Sequence, residues 1–152
     1  MAPIHKLQVE TDIKSPAEKF YEKIKTNLSD FTKAFPEMYK HIEFLVGDGK
    51  TEGSIILFKY STGNGGISVA KDRIMEINDK DRAITYDIFE GDLPNTYNTF
   101  VLKLQVIEKD DKSVVKWSTE YEKPNDVEDP NIFLGLLANA ANAFDAYILK
   151  ED

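Results

Sequence analysis

Apolar and polar positions alternate at the start of the chain. His5, Leu7, Val9, Thr11 and Ile13 share one face, and Lys6, Gln8, Glu10 and Asp12 share the other. A period of two predicts a half-buried strand over 4–13. The pattern stops at Ser15-Pro16-Ala17-Glu18. There Ser15 can cap a helix, Pro16 can open its first turn and Glu18 can close a capping box. The helix that follows puts Phe20, Ile24 and Leu28 on one side. A second short helix is predicted over 30–34, ending before Pro36. Its apolar residues are Phe31 and Phe35, with Met38 beyond.

Residues 42–46 read as a short strand, and 47–53 as a glycine-bearing turn. From Ser54 onward nearly everything has strand period. Ile56, Phe58 and Tyr60 alternate up to the hairpin turn Gly63-Asn64-Gly65-Gly66. Ile67 and Val69 follow, then Asp72 and Ile74 after an expected register shift. Ile84, Tyr86 and Ile88 form the next run, 91–95 breaks the chain, and Phe100, Leu102, Leu104 and Val106 resume it. A turn at Asp110-Asp111-Lys112 leads into a last strand over 114–122. The period then changes. Asp129 caps and Pro130 opens a helix predicted over 130–150, with Phe133, Leu136, Leu137, Ala140, Phe144, Tyr147 and Ile148 recurring at three and four.

This order predicts an α+β fold: a seven-stranded curved antiparallel sheet around a long C-terminal helix, with two short helices after the first strand. The 152 residues suit one ligand-binding domain over 1–152. A curled sheet that meets its helices mainly at the rims leaves an internal cavity lined by alternate strand residues.

Composition narrows the function. The absence of cysteine excludes disulfides, thiolate metal sites and a cysteine nucleophile. The net charge is −8, with basic residues scattered singly among acidic ones. That excludes the basic stripe of a nucleic-acid binder. The N-terminus shows no apolar run of signal-peptide length, and no stretch reads as a membrane span. The expectation is a cytoplasmic protein without membrane insertion, a monomer or weak dimer. No cofactor is expected. His5 and His41 stand far apart without an acidic pair, so no metal site is expected either. The loop Gly47-Asp48-Gly49-Lys50-Thr51-Glu52-Gly53 looks superficially like a phosphate-binding loop. Such a loop needs a following helix, whereas a strand is predicted here.

Several segments carry a family resemblance. Glu90-Gly91-Asp92-Leu93, then Tyr97 and Phe100, then Trp117-Ser118-Thr119-Glu120-Tyr121-Glu122-Lys123 resemble the major latex protein branch of the birch-pollen-allergen (pathogenesis-related class ten) superfamily. Gly53-Ser54-Ile55-Ile56, Ala70-Lys71-Asp72 and the closing Tyr147-Ile148-Leu149-Lys150 match as well. The resemblance runs in order over essentially the whole chain. Only Lys50-Thr51-Glu52 interrupts the denser glycine run of the allergens. The resemblance implies a plant protein with a helix-grip, START-like fold and a large apolar cavity. It implies binding of hydrophobic metabolites, hormones or lipids, and a link to defence or stress. Some relatives are cofactor-independent cyclases, isomerases or condensing enzymes, which is the alternative function.

Strand parity supplies the expected cavity wall: Leu7, Val9, Ile56, Phe58, Tyr60, Val69, Tyr86, Ile88, Phe100, Leu102 and Leu104. The helices add Ile24, Phe31, Met38, Phe133, Leu136 and Leu137. These residue types serve equally as ordinary core. Nine Phe, seven Tyr and one Trp offer a ligand flat faces and a few hydroxyls. The polar candidates are Lys116, taken as inward with Val114 and Ser118, together with Tyr60, Tyr86, Asp72 and His5. The resemblance implies a catalytic base at Lys116, as in the condensing enzymes. The acid and tyrosine those enzymes also use have Phe100, Leu102 and Leu104 in their place on the neighbouring strand.

Overall fold

The computed structural model describes residues 3–151. Seven strands form one antiparallel sheet: β1 Ile4–Ile13, β2 Tyr39–Val46, β3 Ile55–Ser61, β4 Ile67–Asn78, β5 Ala83–Gly91, β6 Phe100–Lys109 and β7 Lys112–Glu122. Strands β2 to β7 run as a meander, and β1 adds at the far edge, giving the order β1-β7-β6-β5-β4-β3-β2. The helices are α1 Ala17–Thr26, α2 Phe31–Ala34 after a 3-10 turn Leu28–Asp30, α3 Asp92–Tyr97 and α4 Asn131–Glu151. This is the predicted helix-grip architecture.

Helix α4 buries Leu134, Leu137, Ala140, Ala141, Phe144, Asp145 and Ile148. Ala140 and Ala141 are fully covered; their small side chains let neighbouring elements approach the helix closely. By length and composition α4 is also apolar enough to cross a membrane, which corrects the reading that no stretch approaches a span. In this fold it is the core helix. Phe144 joins three helices: its ring stacks on Phe31 of α2 at 4.3 Å and meets Phe20 of α1 edge-on at 5.6 Å.

Three local features depart from the sequence reading. The first is the start of α1, where Pro16 is the cap residue and no side chain caps. Instead Asp145 of α4 accepts from the amides of Lys14 and Ser15, at 2.8 and 3.0 Å. Glu18 turns outward to Arg82 at 3.0 Å. A tertiary carboxylate thus serves the strand–helix junction where a local capping box was expected. The second is β2, which begins at Tyr39 rather than Ile42.

The third is the break after β5, which is helix α3. Gly91 makes it possible. It has φ +124°, and a Cβ there would lie 2.0 Å from the Val69 carbonyl oxygen. Only glycine tolerates that backbone at that approach.

Candidate functional site

Between the concave face of the sheet and α4 lies an internal cavity. Its wall is built by Ile24 of α1, Leu28 of the 3-10 turn, Phe31 of α2, and Met38 and Tyr39 at the entry to β2. The sheet contributes Phe58 and Tyr60 of β3, Ala70 and Asp72 of β4, Tyr86 and Ile88 of β5, Leu102 of β6 and Trp117 of β7. Phe133 and Leu137 of α4 close it. The cavity volume is ≈ 50 Å³. That holds a few waters and no multi-ring compound. The large cavity implied by resemblance is therefore contracted. Aromatic rings occupy the room: Phe31 and Tyr39 lie 4.9 Å apart, Tyr39 and Phe58 6.2 Å, and Tyr60 and Phe133 6.2 Å.

Outside it, between α3, the β3–β4 hairpin and the start of α4, lies an open cleft of ≈ 520 Å³. Tyr60 and Phe133 line both spaces. They form the partition between cleft and cavity.

Most expected wall residues stand where parity put them: Ile24, Phe31, Met38, Phe58, Tyr60, Tyr86, Ile88, Leu102, Phe133 and Leu137. Ile56, Phe100 and Leu104 are fully buried in packed core and do not line the cavity. Leu7 and Val9 pack against that core half-buried. Leu136 faces the outer cleft. His5 lies off the cavity, stacked on Tyr121 at 6.0 Å.

Two expectations are overturned. Val69 is 37% exposed on the outer face, while Ala70, Asp72 and Ile74 point inward. The expected register shift does fall between Lys71 and Asp72, but its extra residue is Phe89 on β5, so β4 keeps its phase; β4's own extra residue is Met75, beyond the cavity.

Lys116 also faces out. Its cross-strand neighbours are Glu10 and Gln105, whereas Trp117 lies opposite Val9 and Leu104. Val114 and Val115 are both buried, so the apolar pair left the parity of β7 open. The aromatics Trp117 and Tyr121 on the odd positions were the deciding signal. Replacing Lys116 with alanine should change stability by less than about 0.5 kcal/mol and leave apolar-dye binding within about twofold, which denaturation and dye titration check. The residues missed altogether as site members are Leu28, Tyr39, Ala70 and Trp117.

The polar member inside is Asp72. Its cross-strand partners are Ile56 and Ile88, both fully buried. Burial, with repulsion from Asp87 adding to it, pushes its carboxyl well above the usual carboxylate range. The shift favours the neutral form, which both donates and accepts. Its Oδ1 has no hydrogen-bond partner among the described residues. Burial likewise raises the phenols of Tyr39 and Tyr86, with Asp72 adding to each, and pushes Tyr60 up to about 12. The cavity therefore presents three neutral tyrosines and one carboxyl shifted toward its neutral form, and it lacks the Lys116 base.

The model of the pathogenesis-related protein Bet v 1 family matches residues 2–151. The chain belongs to this family. MLP-like protein 423 of Arabidopsis thaliana is 36% identical over 146 residues, covering 95% of this chain and 94% of its own. The crystal structure of ginseng major latex-like protein 151 from Panax ginseng superposes with a TM-score of 0.88 at 28% identity, covering 95% of this chain and 97% of the ginseng protein. Norcoclaurine synthase from Thalictrum flavum has a TM-score of 0.79 at 21% identity, covering 97% of this chain and 88% of the synthase. That last likeness is one of fold. As a Bet v 1 family member, the chain shares its architecture with proteins known for ligand binding, and its similarity is to the major latex-like branch.

Proposed function

We propose that this single domain is an intracellular carrier or buffer for apolar small molecules, held between the sheet and α4 and serving defence or stress. The carrying observation is the cavity itself: an aromatic and aliphatic wall with one buried, incompletely paired carboxyl at Asp72. A wall of this kind takes up an apolar body by burial and orients it through a few polar groups. A metabolite-sized ligand requires the rings that fill the space to swing aside. Tyr60 and Phe133 stand where the outer cleft meets the cavity, so entry runs between them. The alternative of a cyclase, isomerase or condensing enzyme in the same cavity loses support with Lys116 on the outer face.

A panel of flavonoids, sterols, terpenoids and fatty acids tests the carrier reading by thermal unfolding. A ligand present at a hundred times its Kd stabilises the folded state by about 2.7 kcal/mol. For a chain of this size that raises Tm by roughly 5–10 °C. At least one class should reach this. A panel that moves Tm nowhere and displaces no apolar dye removes the carrier reading.

A further inference from the structure

Two polar atoms on the cavity wall are buried and have no hydrogen-bond partner among the described residues: Asp72 Oδ1 and Trp117 Nε1. They are on β4 and β7, with β5 and β6 between them in the sheet. The indole N–H is a donor only. A phenylalanine at 117 would give the wall the same kind of flat apolar face without leaving a buried donor unmade. An orphaned donor and an orphaned carboxyl oxygen carried by residues that line one apolar space describe the polarity of what fills it.

We infer that the cavity takes a ligand with an apolar body and an oxygen function at each end. One oxygen accepts from Trp117 Nε1–H, and the other exchanges a hydrogen bond with Asp72. The inference rests on the carrier reading and narrows it: a pure hydrocarbon would leave both atoms orphaned, whereas a two-ended, oxygenated ring system satisfies both. Strands spaced about 4.8 Å apart put three strand steps at roughly 14 Å along a flat sheet, and less across a curved one. A rigid two-ring skeleton carrying para oxygens has the required reach, and it enters only when the rings that fill the space swing aside, as the carrier reading requires. Waters held in the cavity are the competing occupant.

The test uses the full chain and three probes of one skeleton: biphenyl, its para-monohydroxy derivative and its para,para-dihydroxy derivative. Trp117 is the sole tryptophan, so its indole N–H gives one assignable signal in proton–nitrogen correlation NMR. Calorimetry should find the diol bound about tenfold more tightly than biphenyl. The indole signal should move downfield with the diol and not with biphenyl. In Trp117→Phe the preference for the diol over biphenyl should largely vanish. Equal affinity for biphenyl and diol, or an unmoved indole signal with diol bound, overturns the inference and leaves the carrier reading intact, the polar atoms then being served by water. Absence of binding by these probes and by every class in the ligand panel removes both. The wild-type comparisons stand even if the Trp117 variant folds poorly.

Discussion

Phe144→Ala should lower unfolding stability by about 3–5 kcal/mol. Phe144 is 1% exposed, and its ring is the contact through which α1, α2 and α4 meet. Truncation removes the transfer energy of the ring and leaves a void that rigid neighbours close only in part. With roughly 2–4 °C per kcal/mol at this length, Tm should fall by about 6–20 °C. A substantial part of a typical stability of about 5–15 kcal/mol is then gone. Ile132→Ala is the control. That side chain sits on the same helix but is 72% exposed, and its loss should cost no more than about 0.5 kcal/mol. Chemical denaturation of both variants separates the roles. Equal small losses would mean that the aromatic junction does not hold α4 against α1 and α2.

Asp72→Asn should stabilise the protein at neutral pH, because the amide is spared the cost of protonating or desolvating a carboxyl that the unfolded chain leaves ionised in water. The effect should depend on pH in a stated direction. The unfolded chain releases the Asp72 proton as pH rises through the ordinary value of 3.8, while burial makes the folded chain hold it until the raised value. The stability this group contributes is full below 3.8 and is lost as pH rises through the folded value. The advantage of Asp72→Asn over wild type should therefore be smallest at acid pH, grow above pH 3.8 and level off beyond the folded value. The exposed Asp79 and the half-buried Asp129, held low by hydrogen bonds from Tyr21 and Tyr121, give the opposite slope in both proteins and cancel in the difference. Denaturation across the pH range reads that difference directly. A flat one would place Asp72 in contact with water or a strong partner.

The sheet, its meander and the long last helix were legible because their periods are long and uninterrupted. The three hairpin glycines Gly63, Gly65 and Gly66 and the Asp129-Pro130 start punctuated them clearly. The site was legible only as far as parity was. On β3, β5 and β6 an apolar residue stands at every second position, and Phe58, Tyr60, Tyr86, Ile88 and Leu102 all arrived at the wall. On β7 two adjacent valines made the parity ambiguous, and the choice of Lys116 over Trp117 followed from that. On β4 the strand stays in phase from Ala70 to Ile74; the shift before Asp72 is real but its extra residue, Phe89, lies on the partner strand β5, so Val69 and Asp72 keep opposite faces. The Asp145 clamp on Lys14 and Ser15 spans about the whole chain and leaves no local signature. Cavity size was illegible for a different reason. It depends on rotamers of Phe31, Tyr39, Phe58 and Phe133, and the same residues that mark a binding wall can also fill it.

On the carrier reading an apolar ligand sits between the sheet and α4. Trp117, the single tryptophan on that wall, reports on it by its own fluorescence, and Ala70, 5% exposed on the same wall, offers a place to fill the space. Titration of an apolar dye should change Trp117 emission saturably with one site per chain. In Ala70→Leu, folded at an overpacking cost of about 1–3 kcal/mol, the change should be lost. Unaltered emission at saturating dye, or undiminished binding in the filled variant, would place the ligand elsewhere and contradict the account.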